Sequence, residues 1–157
     1  MAKRILIGIV IILILAQFIR PPHNNGIAAT PNDITHVVQV PDTVLSILKV
    51  SCYDCHSNYT RYPWYSKITP VNWWLYNHII QGKMHINYSE YTGSYKRMAK
   101  RLKETSDEVK NHKMPLPSYL WIHTDAKLSE GQQKLVIDWA NQAQQQVLQD
   151  SLKSVHK

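Results

Sequence analysis

The chain has 157 residues, a formal charge of +7, two cysteines and eight histidines. That length holds one domain and a leader rather than two domains. The basic excess is small once Lys3, Arg4 and Arg20 near the N-terminus are set aside, and no phosphate loop, nucleophile elbow or nucleic-acid motif is present, so no nucleic-acid partner is expected.

Residues 1–20 read as a membrane anchor or signal segment. Lys3 and Arg4 precede an apolar run from Ile5 to Ile19, interrupted only by Gly8 and Gln17. Such a run extends ~22 Å as a helix, against ~30 Å for a hydrocarbon core. It fits a signal peptide or a short anchor, and the bulky residue in Ile14-Leu15-Ala16 disfavours cleavage. The positive flank stays in the cytoplasm, so the remainder is exported. The expectation is an N-terminal membrane helix at the bacterial inner membrane with the domain in the periplasm, or secretion to the periplasm if the segment is cleaved. Residues 21–36 read as a linker, because Pro21-Pro22, Asn24-Asn25-Gly26 and Pro31-Asn32-Asp33 are turn and breaker signals. The domain is expected at 37–148, followed by a frayed tail at 149–157.

Pro41 to Val50 carries Val44, Ile47 and Leu48 at helical spacing and leads straight into Cys52. Cys52-Tyr53-Asp54-Cys55-His56 contains the only cysteines of the chain. In an exported protein, Cys-x-x-Cys-His is the attachment motif of a c-type haem: two thiols reach the two vinyl groups on one porphyrin edge, and the following histidine ligates the iron. A zinc site would need further Cys or His pairs, and His78 and His85 are wrongly spaced to supply them. A structural disulfide leaves His56 unexplained. The chain also has nine Tyr and five Trp. These residues carry polar handles and suit a core around a partly polar cofactor.

Asn58 to Val71 is an aromatic loop. Trp64, Tyr65 and Trp73 are candidate contacts at the haem edge, with plain packing as the competing account of each. Asn72 to Gln81 reads as a buried helix stopped by Gly82. His78, within it, reads as a core or surface histidine rather than a ligand. Tyr95 to about Lys113 is a basic helix with Tyr95, Met98 and Leu102 inward. Its outer run, Lys96 to Lys103, is a solvated face or a docking patch for an acidic redox partner or anionic lipid. Met114-Pro115-Leu116-Pro117 breaks that helix and presents Met114 from a stiff loop. A loop thioether is a common sixth ligand of electron-transferring haem. Met84, Met98 and a histidine compete with Met114 for that place. Ser129 and Gln132 fit a capping box for a last helix with Leu135, Val136, Trp139, Ala140, Ala143 and Val147 inward.

These stretches together resemble the bacterial haem-binding-domain family of single-haem, c-type-cytochrome-like proteins. The residues that carry the resemblance are Ser51 to Asn58, Tyr62 to Val71, His85 to Ser89, Met114 to Tyr119, His123, Ala126 to Ser129, and Trp139. The resemblance implies one haem c, with its iron, per chain. It also implies covalent attachment at Cys52 and Cys55, His56 as axial ligand with Met114 the best match for the second, and an all-α cytochrome c-like fold wrapped around the cofactor. The function expected is single-electron transfer in the periplasm rather than enzyme catalysis. The alternatives are a haem-based gas sensor or a peroxidase-like enzyme with a displaceable sixth ligand, for which His85, His112 or His123 could serve as the distal residue, and a module in which haem mainly stabilises the fold.

Overall fold

The computed structural model describes residues 1–155, and among them every regular element is helical. The first helix, α1 (Ala2–Ala16), buries none of its residues. It forms because Ile, Leu, Val and Ala follow one another with Gly8 as the one poor helix former among them, and Pro21-Pro22 prevents its continuation into residues 21–36. The expectation of an N-terminal membrane helix needs correction. The helix is present, but its 15 residues rise only ~22 Å, and no helix among the described residues is long and apolar enough to cross a membrane. Its C-terminal root is bonded to the body of the protein. The Gln17 side chain donates to the Thr69 carbonyl and accepts from the Thr69 amide, both at 3.0 Å, and Trp73 Nε1 donates to the Ile19 carbonyl at 2.9 Å.

Residues 21–36, expected as a linker, lie against the domain as a strap. Gly26 N donates to the Asn58 carbonyl at 2.7 Å and Thr60 N to the Asn24 carbonyl at 3.0 Å. Asn24 Nδ2 donates to the Ser57 carbonyl and the Thr60 hydroxyl, and Lys83 Nζ donates to Asn24 Oδ1. Further along, Ser89 Oγ donates to the Ala28 carbonyl and Tyr91 N to the Asn32 carbonyl. Asp33 caps the short α2 (Ile34–Val37), and Ile34 is fully buried. The turn signals in this stretch do produce turns. Their side chains, however, satisfy backbone groups of the domain instead of meeting water.

The core lies between α3 (Asp42–Ser51), α6 (Tyr95–Lys110) and α8 (Glu130–Val155), with α6 and α8 in the most extensive contact. Val44, Ile47 and Leu48 of α3 meet Met98, Ala99, Leu102 and Val109 of α6 and Val136, Trp139, Ala140, Ala143 and Val147 of α8 in one apolar cluster. Tyr95 and Leu135, expected on the inner faces, are exposed: Tyr95 is the first residue of α6, at the end of the stripe, and Leu135 stands a step off the stripe that begins at Val136. Trp139 spends its indole N–H on the Gln39 carbonyl at 2.9 Å. The Ser129/Gln132 capping box forms reciprocally, at 2.9 and 3.2 Å. Of the expected frayed tail, residues 149–155 continue α8, and residues 156 and 157 lie outside the described residues.

The strap's place in the core has a measurable consequence. Ile34→Ala should cost about 2–5 kcal/mol, read as a lower urea midpoint for the full chain. A change within a few tenths of a kcal/mol, as for an exposed linker residue, would show that residues 21–36 do not share the core.

Candidate functional site

The thiol pair is set by a single turn of helix. The chain leaves α3 at Cys52, and α4 (Tyr53–His56) follows at once. The amides of Cys55 and His56 both donate to the Cys52 carbonyl, at 3.2 and 3.0 Å. One turn therefore separates the sulfurs, and both cysteines line a cavity of about 440 Å³. Both are free thiols. Burial pushes each up to about 12, with Cys55 adding to the effect on Cys52 and Asp54 to that on Cys55. At neutral pH both are protonated.

His56 is oriented by the backbone. Its Nδ1 lies 3.1 Å from the Ile86 carbonyl, a bond that exists only if Nδ1 carries the proton. Nε2 is left with its lone pair, the arrangement by which a protein presents histidine to a metal. Burial holds the imidazole below its ordinary pKa, against the opposing pull of the Ile86 and Gly82 carbonyls. The ring is therefore neutral at pH 7.

Three further walls close the cavity. The first is one face of α5 (Val71–His85): His78, Gln81, Gly82 and His85, spaced i, i+3, i+4, i+7. The second is the face of α6 that carries Arg101, Glu104, Thr105, Glu108 and Val109. The third is the segment after α6, with Met114, Pro115, Leu116 and Tyr119. Helix α6 ends at Lys110, and two residues on, His112 has a φ of +55°, in the left-handed region. The amides of Lys113 and Met114 both return to the Glu108 carbonyl. The chain is turned by this reversal before Pro115 is reached, and Met114 is left against the cavity.

Gly82 has a role that its place in the sequence conceals. It was expected to stop the helix, yet α5 runs through it to His85. A Cβ at this position would sit 2.7 Å from the Cys55 carbonyl oxygen. Gly82 is there because the helix and the cysteine turn touch backbone to backbone.

The structure thus brings Cys52, Cys55, His56 and Met114 to one cavity. The competing methionines lie elsewhere: Met98 is buried in the core and Met84 is exposed. Trp64, Tyr65 and Trp73 do not line the cavity. Trp64 is 70% exposed. Trp73 is engaged with Ile19, and the Tyr65 hydroxyl meets His123 Nε2 at 2.8 Å behind Cys55. Of the three proposed distal histidines, only His85 reaches the cavity wall. The sequence reading missed Tyr88, Tyr119 and the polar residues of α6. The i, i+3, i+4, i+7 pattern at His78, Gln81, Gly82 and His85 was a signal that could have revealed the α5 wall.

The chain matches the haem-binding-domain family over residues 11–142 and belongs to it. Comparison with curated proteins and with solved structures found no match. The protein therefore binds haem. The donor set fits that group, with two neutral thiols a turn apart, an imidazole with its outer nitrogen free, and a thioether on the same cavity.

Gly82→Ala should lower the melting temperature of the full chain. The helix-propensity gain of about 1 kcal/mol is outweighed by an overlap with backbone that costs about 1–3 kcal/mol or more. Gly131→Ala, in the first turn of α8 with its nearest neighbour 4.0 Å away, is the control and should be neutral or stabilising. Equal melting shifts for the two would refute the close approach.

Proposed function

We propose that this protein is a single-haem, c-type-cytochrome-like electron carrier that works in the periplasm at the membrane surface. The observation that supports this most strongly is the convergence of Cys52, Cys55 and His56, from one turn of the chain, and Met114, from a loop about sixty residues on, on one cavity. Cys52 and Cys55 would hold the porphyrin by thioether bonds. His56, already bonded through Nδ1 to the Ile86 carbonyl, would ligate iron through Nε2, and Met114 would take the other axial position. A haem bound in this way supplies a one-electron couple, and a thioether ligand raises its potential. With His56 and Met114 both held by the chain as ligands, substrate would be kept from the metal and outer-sphere transfer would be favoured.

The partner would dock on α6. Lys100 and Lys103 are paired with Glu104 and Asp107, and Lys96 and Arg97 are exposed. Arg101, in the same run, lines the cavity, so an acidic redox protein bound along Lys96–Lys103 would face the cofactor.

Membrane association is supported by α1, which is apolar and wholly unburied, and by the surface on which it is rooted. Trp64, Ile68, Trp73 and Trp74 are all exposed around the Gln17–Thr69 bond. Exposed tryptophans of this kind suit the interface between headgroups and water.

Two measurements test the reading. In the haem-loaded protein, the oxidised spectrum should be low-spin with the weak far-red band of Met-ligated ferric haem, and Met114→Ala should abolish that band. A high-spin spectrum, or one indifferent to the substitution, would remove Met114 as ligand and favour a displaceable-ligand sensor or enzyme. For attachment, haem should stay with the chain through denaturing electrophoresis and be lost when Cys52 and Cys55 are both replaced by serine. Haem that separates from the unaltered chain would rule out the c-type linkage.

A further inference from the structure

Asp54 occupies the position just before Cys55 and is 7% exposed. A carboxylate this buried is costly unless every lone pair is used and its charge is matched. Here four donors meet it. The Arg61 amide and Nε donate to Oδ1, both at 3.1 Å, Arg61 Nη2 donates to Oδ2 at 3.2 Å, and the Tyr119 hydroxyl donates to Oδ2 at 2.8 Å. The guanidinium supplies the matching charge, and the bond to Asp54 raises the Arg61 pKa further.

The Tyr119 bond reaches across the site. Tyr119 lies in α7 (Pro117–Leu120), directly after the Met114 loop, and its ring stacks on His123 at 4.2 Å between centroids. Among the described residues, its hydroxyl makes the only hydrogen bond that joins residues 115–122 to another part of the chain. The backbone bonds of Lys113 and Met114 to Glu108 hold the near end of the loop. The far end is held by the Asp54–Tyr119 bond, by packing and, just beyond the loop, by His123, whose Nε2 meets the Tyr65 hydroxyl.

We propose that Asp54 is a positioning residue for the second axial ligand: by accepting the Tyr119 hydroxyl it holds the Met114 loop closed over the cavity. The motif that attaches the cofactor would then also govern the opposite wall. This rests on the reading of Met114 as an iron ligand.

Imidazole competes with a methionine for ferric haem, so its apparent Kd reports how readily the loop opens. Titration of the haem-loaded full chain, followed by absorption, should give about tenfold tighter imidazole binding for Tyr119→Phe, the size expected for one hydrogen bond to a carboxylate. That variant keeps the ring on His123. Asp54→Asn, which keeps an oxygen for Arg61, should move the affinity in the same direction, and the double variant should add little to either single one. A thermal melt run beside each titration separates loop opening from general destabilisation, because a merely structural bond would shift the melt and leave the imidazole Kd in place. Met114→Ala distinguishes the two possible failures. If the unaltered protein has no far-red band for Met114→Ala to remove, the ligand reading falls and this proposal falls with it. If the band is lost in Met114→Ala but imidazole affinity in Tyr119→Phe and Asp54→Asn stays within twofold, the positioning role alone is overturned.

Discussion

The backbone contact between α5 and the Cys52–His56 turn is the constraint on which the site depends. A helix that crosses one turn of another at the distance of Gly82 from Cys55 leaves no room for a side chain. In return it places the next residues of α5 where they are needed. Four positions past Gly82, the Ile86 carbonyl meets His56 Nδ1 and settles which ring nitrogen is free. On the same face of α5, His78 and His85 become cavity wall. The thiol spacing, the imidazole tautomer and one wall of the cavity therefore follow from a single close approach. The α4 turn could form in isolation, but it would then have nothing to orient the histidine.

The electrostatics of the site are those of a place built for a large, mostly apolar group. Both thiols and the imidazole are neutral at pH 7 for the same reason, burial. Charge is confined to the α6 wall and to Asp54. Arg101, Glu104 and Glu108 sit along the wall, and Asp54 is matched by Arg61. The Asp54–Arg61 pair is asymmetric, with a buried carboxylate and an exposed guanidinium, so its desolvation cost falls mainly on the acid. Four donors offset that cost and leave the carboxylate a fixed acceptor inside the Cys-x-x-Cys-His turn, bonded to Arg61 and to Tyr119.

The N-terminal quarter of the chain ties this site to its surroundings. The strap of residues 21–36 runs past Asn58, which closely follows His56 in the chain, and past Ser89 and Tyr91, which closely follow Ile86. It therefore braces the segment that supplies the Ile86 carbonyl. The root of α1 is fixed at Thr69 and Trp73, next to the start of α5. The base of α1 is therefore fixed against the domain rather than joined to it by a loose tether.

Much of the protein was legible one residue type at a time. The apolar periods of α3 and α8, the capping box at Ser129, the Cys-x-x-Cys-His motif and the break around Met114 are all local signals, read from neighbours within a few positions. Gly82, Asn24, Ile34 and Tyr119 were misread or passed over, because each owes its role to a residue far away in the chain. A glycine inside a helix looks like a stop until the Cys55 carbonyl is found against it, and Asn-Asn-Gly looks like a spacer until its side chains meet Ser57 and Thr60. Trp64 and Trp73 looked like cofactor contacts because aromatic character alone cannot tell an inward from an outward side chain. The sequence by itself determined the all-helical class, the haem-binding family and the presence of a Cys-x-x-Cys-His motif, since periodicity and motif are carried by residue type and short spacing. Only the tertiary structure decided which nitrogen of His56 is free, which methionine reaches the cavity and what Asp54 holds, because these depend on the meeting of segments tens of residues apart, and chain order does not encode that distance directly.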